Sequence, residues 1–187
     1  MTIRNIDSAL SLAIMGLISY QSMSGYDLRK VFISTAMRQF SASPGAIYPA
    51  LRRLEEAGLI KGEIEKENTL RPRKVYTLTA SGLDALKENL SQPVSQDDVI
   101  WRTDALMLRF TFMCELLGKE KTLKFLQEFL SETEAYIKVL EKEHEALRKV
   151  MSFCSRSSFE HGIAVYRSNA RWAKRIIEEI QKQGEIK

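Results

Sequence analysis

The chain has 187 residues, of which 44% are hydrophobic and 28% are charged, and its formal net charge is +4. This length predicts one large domain or two small ones, and the composition is typical of a globular protein with a substantial hydrophobic core. Two cysteines and two histidines are too few for a disulfide framework or a four-cysteine zinc site, and they leave little material for a catalytic triad. We therefore expect no metal, no cofactor and no enzymatic activity, with both cysteines in the core of a reduced protein.

The first helix is predicted within an uncharged run from residue 8 to residue 26. This run contains five serines and two glycines, so it lacks the continuous apolar stretch of about 20 residues that a membrane span requires. Apolar side chains recur at helical spacing instead, at Leu10, Ile14, Leu17 and Ile18. We interpret the run as a buried amphipathic helix of a cytoplasmic protein.

Two further helices have recognisable start signals. Ser24 and Asp27 have the spacing of a variant capping box. Ser43 is a favourable N-cap residue, and Pro44 fits the first helical position because its missing N–H has no partner there. The third helix is predicted to end at Gly58 in a left-handed conformation. The predicted buried faces comprise Leu28, Val31 and Phe32 in the second helix and Ile47, Leu51 and Leu54 in the third.

A β-hairpin and a fourth helix are predicted next. Residues 59–66 read as a strand, residues 68–72 as a turn, and residues 74–78 as the partner strand. Thr79 is a suitable N-cap for a helix that ends near Leu90. Three helices followed by a hairpin is the order of a winged helix-turn-helix, so we predict a mainly α fold with this domain at its N-terminus. One face of the first strand is predicted to comprise Ile60, Gly62 and Ile64.

The second half of the chain is predicted to be entirely helical. A short polar break at residues 91–96 is interpreted as a linker between residues 1–90 and residues 97–187. Beyond it, an apolar stripe is bounded by Gly118. The stripe consists of Trp101, Ala105, Leu108 and Phe112. The two tryptophans of the chain are interpreted as core or dimer anchors.

A heptad seam extends from Leu123 to Met151, because nine positions alternate in steps of three and four residues and seven of them are apolar. The seam would be ~40 Å long. A last helix repeats the same spacing, and His144 is interpreted as a polar residue that sets the register. These faces predict a coiled-coil-like dimerisation domain, with an intramolecular three-helix bundle as the alternative. The predicted dimer contacts are Leu123, Leu126, Leu130, Ile137, Leu140, Leu147, Phe159, Ile163, Tyr166 and Ile177.

The third helix carries the strongest indication of function. Its outward face is predicted to contain small residues, an aromatic ring and a cation, which suits close approach to a groove and contact with phosphate. Pro49 within this helix removes a backbone hydrogen bond to Gly45, which costs up to about 3 kcal/mol in a helix interior. A basic cluster without a nearby acid after Glu67 follows in the hairpin and suits contact with DNA. The cluster consists of Arg71, Arg73 and Lys74.

Three motifs around this helix resemble the PadR family of bacterial transcription regulators. They are LAIMGL at residues 12–17, GYDL at residues 25–28 and RKVYTLT at residues 73–79, with SPGAIYPALRRLEEAGLI at residues 43–60 between them. The resemblance covers residues 8–90, and the helical remainder is similar in layout to the longer PadR subgroup. It implies that the third helix enters the major groove, that the hairpin loop is the wing and that the C-terminal helices dimerise.

We therefore predict a sequence-specific DNA-binding regulator, a repressor that binds a pseudo-palindromic operator as a homodimer and responds to an effector. The alternative is a winged-helix adaptor that binds proteins and does not read DNA. Tyr48 could also pack beneath the wing, and Arg52 could pair with a neighbouring glutamate on the helix surface. The predicted DNA contacts are Ser24, Tyr26, Lys30, Ser43, Pro44, Gly45, Ala46, Tyr48, Pro49, Arg52, Arg71, Arg73 and Lys74.

Overall fold

A computed structural model describes residues 6, 8–35, 43–65 and 72–182. The chain divides into two compact units, Met1–Leu90 and Ser91–Lys187. The first contains α1 (Ala9–Tyr20), β1 (Met23–Ser24), α2 (Gly25–Ser34), α3 (Pro44–Glu56), β2 (Ile60–Glu65), β3 (Arg73–Leu78) and α4 (Ala80–Leu90). The second contains α5 (Gln96–Trp101), α6 (Thr103–Leu147) and α7 (Phe153–Lys182). Helices dominate, and the order of elements in the first unit is that of the predicted winged helix-turn-helix.

Helix α1 forms the centre of the first unit. Its residues from Ser11 to Ile18 are all buried, and it packs against α3, α4 and β3. Apolar side chains around the whole circumference of a helix are typical of a buried helix. Ser8 caps α1, because its hydroxyl oxygen accepts a hydrogen bond from the Ser11 amide at 3.1 Å. In the described part of the chain, no helix has the length and apolarity needed to cross a bilayer.

The predicted ends of α3 agree with the structure, apart from one detail of its cap. Pro44 occupies the first helical position, but Ser43 makes no capping hydrogen bond through its side chain. At the other end Gly58 has φ 69°. The Gly58 amide donates to Glu55 and the Leu59 amide donates to Leu54, which is the Schellman arrangement that ends helices at a left-handed residue.

A small antiparallel sheet completes the first unit, with the strand order β1-β3-β2. The pairing of β2 with β3 sets Gly62 opposite Tyr76 and Glu65 opposite Arg73. Ile64 differs from its predicted place in an apolar face, because it is 64% exposed near the end of β2. The two-residue strand β1 was not predicted, since it is too short to show any alternation.

The second unit consists of three helices that begin immediately after a short connecting segment. Ser95 and Asp98 form a capping box at the start of α5. Gly118 interrupts α6 with φ 79° and ψ 176°, a conformation that glycine adopts without a steric penalty, so the predicted boundary at Gly118 is confirmed. Trp101 is 78% exposed at the end of α5, so the predicted stripe is broken and Trp101 is not a core residue of this unit.

Helices α6 and α7 pack against each other as an antiparallel hairpin. Tyr136 stacks edge-on against Tyr166 with ring centroids 5.0 Å apart, and Arg167 contacts Glu141 at 2.6 Å. Among the predicted dimer contacts, Leu126, Ile137 and Ile163 are buried within this single chain, because α7 covers part of the seam. Those still exposed or half-buried on the hairpin surface are Leu123, Leu130, Leu140, Leu147, Phe159, Tyr166 and Ile177.

Two further residues of this hairpin bear on the sequence predictions. Cys154 is exposed and Cys114 is half-buried, so the prediction of two core cysteines is wrong for Cys154. His144 lies in the seam as predicted, with its ring 5.5 Å from that of Phe159. Its Nε2 atom lies 3.5 Å from the Glu160 carboxylate, so the polar position of the seam faces α7 of the same chain.

The segment that connects to α5 is anchored to α6 of its own unit. The Val94 amide donates a hydrogen bond to the Glu128 carboxylate at 3.0 Å, and Val94 itself is 7% exposed. The Arg109 guanidinium donates to the Gln92 carbonyl. Burial lowers the pKa of Arg109, while its cation lies 5.1 Å from the centre of the Phe125 ring. The predicted linker is therefore attached to α6 of the second unit through hydrogen bonds at Gln92 and Val94.

Candidate nucleic-acid interface

The outward face of α3 has the composition that the sequence predicts. Gly45, Tyr48, Pro49 and Arg52 are exposed, as are Ser43 and Pro44 before them, and Ala46 is half-buried. Ile47, Ala50, Leu51 and Leu54 are buried on the opposite face. Gly45, Tyr48 and Arg52 follow one another at helical spacing and therefore share one side of the helix. A Cβ atom at Gly45 would have no heavy atom within 4 Å, so this end of the face is open.

Tyr48 projects from this face but is supported from below. Tyr48 remains 53% exposed. A Cβ atom at Gly25 would lie 2.7 Å from Cε1 of Tyr48 and 3.3 Å from Cδ1 of Leu51. The ring therefore lies directly over the backbone at the start of α2, where only glycine leaves enough room. Tyr48 is held in place and still presents its ring to solvent.

The first turn of α2 lies next to α3 through this contact. Tyr26 is 57% exposed, and the Lys30 ammonium group lies 4.6 Å from the centre of its ring. Ser24 differs from its predicted place as a DNA contact, because it is 5% exposed. Its hydroxyl donates to the Asp27 carboxylate at 2.6 Å and accepts from the Asp27 amide at 3.2 Å. Ser24 is the cap of α2 and is not available as a phosphate contact.

Strand β3 of the wing hairpin brings its basic residues to the same region. Arg73 forms an ion pair with Glu65 at 2.6 Å and lies 3.9 Å from Asp27, so β3 lies next to the first turn of α2. Lys74 forms an ion pair with Glu55 of α3 at 2.7 Å. The third member of the predicted basic cluster, Arg71, lies outside the described residues.

The predicted basic cluster is therefore not free of acids. The antiparallel register sets Glu65 opposite Arg73, and the close approach of β3 to α3 sets Glu55 beside Lys74. Arg52 of α3 pairs with Glu56 at 2.7 Å, as the alternative interpretation of Arg52 anticipated. The hydrogen bonds that the three cations donate to these carboxylates raise the pKa values of the cations, and the hydrogen bond that Ser24 donates lowers the pKa of Asp27.

The acids of this surface are the residues that sequence reasoning undervalued. Spacing of four residues on a helix indicates the pair of Arg52 and Glu56 directly. The other two pairs join residues 8 and 19 positions apart, and only the strand register and the packing of the sheet on α3 reveal them. The surface as a whole thus combines an open helix face, two exposed tyrosines and cations that are each held by a carboxylate or a ring.

Comparisons with known proteins match both units of the chain. Residues 14–88 match the model described as "Transcriptional regulator PadR-like family", and residues 104–181 match "Virulence activator alpha C-term". The negative transcriptional regulator PadR of Bacillus subtilis is 28% identical over 184 residues, which cover 92% of this chain and 98% of that protein. The transcriptional regulator YqjI of Escherichia coli is 34% identical over 83 residues, which cover 44% of this chain and 38% of that protein.

Two of the similar solved structures are those of PadR and of a PadR-like regulator. Bacillus subtilis PadR in complex with operator DNA is 26% identical, with a TM-score of 0.43, over 92% of this chain and 99% of that chain. The PadR-like regulator BC1756 of Bacillus cereus is 29% identical, with a TM-score of 0.40, over 93% of this chain and 98% of that chain. On the family match over residues 14–88, the winged-helix unit is a PadR-like transcriptional regulator domain, and the chain is similar to PadR over nearly its whole length.

Proposed function

We propose that the protein is a transcriptional repressor that binds a pseudo-palindromic operator as a homodimer. The observation that carries this proposal is the outward face of α3, on which Gly45, Tyr48 and Arg52 share one side while the opposite side is packed in the core. A recognition helix must present such a face to base edges in the major groove. Repression is favoured because the full-length relative in Bacillus subtilis is named a negative regulator.

The wing supplies the contacts that position this helix. Arg73 and Lys74 are exposed on β3, and Tyr26 and Lys30 are exposed on α2 next to Tyr48. Contacts from cations and hydroxyl groups to phosphate fix the register of a protein on DNA, whereas base contacts supply the sequence preference. In this proposal Gly45, Ala46, Tyr48, Pro49 and Arg52 approach the groove. Ser43 and Pro44 at the start of α3, and Arg71 in the wing, are the remaining contacts.

Dimerisation is assigned to the surface of the α6–α7 hairpin that the chain leaves uncovered. Leu147 is 44% exposed and Phe153 is 72% exposed near the turn between the two helices. Exposed apolar side chains grouped in this way are typical of an interaction site. A dimer with two recognition helices about 34–36 Å apart would contact half-sites one DNA turn apart. A repressor of this kind acts on DNA in the cytoplasm.

An effector is expected to act through the second unit. A solved structure of Bacillus subtilis PadR contains p-coumaric acid, and we propose that this chain also responds to a small molecule. The anchoring of residues 92–94 by Arg109 and Glu128 supports this proposal. A shift of α6 would be transmitted to the segment that joins the two units.

The proposal is tested by selection of binding sites from random DNA, with light scattering to determine the number of protomers per site. We expect an enriched sequence with two related half-sites one helical turn apart, bound by two protomers. A selection without any enriched sequence would contradict the proposal and favour the adaptor, which binds proteins and does not read DNA. A single half-site bound by one protomer would contradict the proposed dimer.

A further inference from the structure

Three cations of the candidate interface share one feature that the proposed function does not explain. Arg52, Arg73 and Lys74 each lie within 2.7 Å of a carboxylate oxygen on the same surface. The pair of Arg52 and Glu56 is exposed on both sides, at 80% and 60% of the two side chains. The pair of Arg73 and Glu65 is exposed at 55% and 40%. Exposed pairs of this kind add little to folding stability, so stability does not account for the arrangement.

These carboxylates lie within hydrogen-bond distance of the cations that the proposed function assigns to DNA contact. Non-specific DNA binding arises almost entirely from cations that neutralise phosphates. A carboxylate at hydrogen-bond distance from such a cation competes with the phosphate for it and repels the phosphate directly. Because the pairs are exposed and screened by salt, a favourable DNA complex can separate them.

We propose that Glu56 and Glu65 are specificity-determining residues that suppress charge-driven binding to the wrong DNA. This inference rests on the proposed function. In the operator complex a single register fixes each cation, and the carboxylates can turn away from phosphate. A non-specific complex samples many registers, and many of them set a carboxylate against a phosphate. Repulsion of this kind penalises the wrong partner more than the right one, which is how like charges contribute to specificity.

Two carboxylates of the surface are unsuitable for the test because they also support the fold. Asp27 belongs to the capping box of α2, and Glu55 accepts a hydrogen bond from the Gly62 amide at 3.2 Å. Glu56→Gln and Glu65→Gln remove only a charge at positions with no such second contact described. Glu179 provides the matched control, because it pairs with Arg175 at 3.0 Å with the same spacing of four residues but lies on α7.

The experiment measures fluorescence anisotropy of the full-length protein at about 50 mM salt, where charge contacts are strong. Wild type, Glu56→Gln, Glu65→Gln, the double variant and Glu179→Gln are each titrated onto the selected operator duplex. The same proteins are titrated onto a scrambled duplex of equal length and base composition. Circular dichroism melting curves show whether each variant keeps the wild-type fold.

We expect each interface variant to bind the scrambled duplex about threefold to tenfold more tightly. Operator affinity should change by less than about twofold, so the ratio of the two affinities falls, and it should fall further in the double variant. Glu179→Gln should leave the ratio at its wild-type value. Equal gains on both duplexes, or an equal fall in the control, would overturn the inference and leave the proposed function intact. A wild type that prefers no sequence would overturn the proposed function itself.

Discussion

A Cβ atom at Gly25 would lie 2.7 Å from Cε1 of Tyr48, so the start of α2 and the exposed face of α3 are in contact at a position where any side chain would displace the ring. This contact explains how Tyr48 can be 53% exposed and still be fixed. An aromatic ring that is fixed before binding loses less conformational entropy on contact with DNA. The geometry of the recognition surface therefore depends on a residue that does not itself face DNA.

Gly25→Ala should weaken operator binding with little effect on stability. The added methyl group displaces the Tyr48 ring, which can rotate away without disturbing the backbone. We expect a loss of about 1 kcal/mol in binding free energy in anisotropy titrations. Gly162→Ala on α7 is the control, since a Cβ atom there meets nothing within 4 Å. Unchanged operator affinity in Gly25→Ala would show that the position of the ring does not matter.

Arg73→Ala should reduce the salt dependence of DNA binding. If the Arg73 side chain leaves Glu65 and neutralises one phosphate, its removal lowers the slope of log affinity against log salt by about 1. The measurement is a series of titrations between about 50 and 200 mM salt. Arg175→Ala on α7 removes a cation from a comparable pair and should leave the slope unchanged. Equal slopes for Arg73→Ala and wild type would show that Arg73 does not neutralise a phosphate.

Asp27→Asn should destabilise the protein in a way that depends on pH. The hydrogen bond from Ser24 lowers the pKa of Asp27 in the folded state, so its contribution is present above the carboxyl's unfolded pKa and is lost as the pH falls through the folded pKa. We expect a loss of about 1 kcal/mol in the free energy of unfolding at pH 7, and a smaller loss below about pH 4.

Urea unfolding followed by circular dichroism checks this prediction. Tryptophan fluorescence would not report on the first unit, because Trp101 and Trp172 both belong to the second. Asp84→Asn removes an exposed carboxylate from α4 and serves as the control. A difference between Asp27→Asn and wild type that stays constant from neutral to acid pH would exclude ionisation of Asp27 as its cause.

Gly82→Ala should be among the most destabilising glycine-to-alanine substitutions in the first unit. A Cβ atom there would lie 1.9 Å from the Leu59 carbonyl oxygen, and neither backbone can move freely, because the Gly82 amide donates to Thr79 at 3.0 Å. Overpacking of this kind costs about 1–3 kcal/mol. Gly45→Ala, which meets no neighbour, should be neutral or slightly stabilising. Thermal unfolding that places both variants at the wild-type midpoint would contradict the packing of α4 on Leu59.

Local signals in the sequence were sufficient for most elements of the first unit. The capping box of Ser24 and Asp27, the cap at Thr79 and the left-handed Gly58 are all present, because each depends on residues close together in the chain. Packing of the heptad seam within the same chain was predicted only as the alternative to dimerisation. A heptad pattern specifies an apolar face, but it does not say whether the partner helix belongs to the same chain.

The residue types of the candidate site were predicted, but the ion pairs between its strands and helix were not. The outward face of α3 follows from helical periodicity alone. Glu65 and Glu55 reach the wing cations only through strand register and packing, which no short motif encodes. Ser24 was predicted as a DNA contact from its place at the start of the second helix, but its hydroxyl is engaged in the capping box of α2.

The most direct test is competition anisotropy on the selected operator, with wild type compared with Tyr48→Ala in an excess of non-specific DNA. The account predicts that wild-type binding resists the competitor and that Tyr48→Ala weakens it by about 1–3 kcal/mol. If the competitor abolishes binding equally for both proteins, the exposed face of α3 does not read DNA sequence.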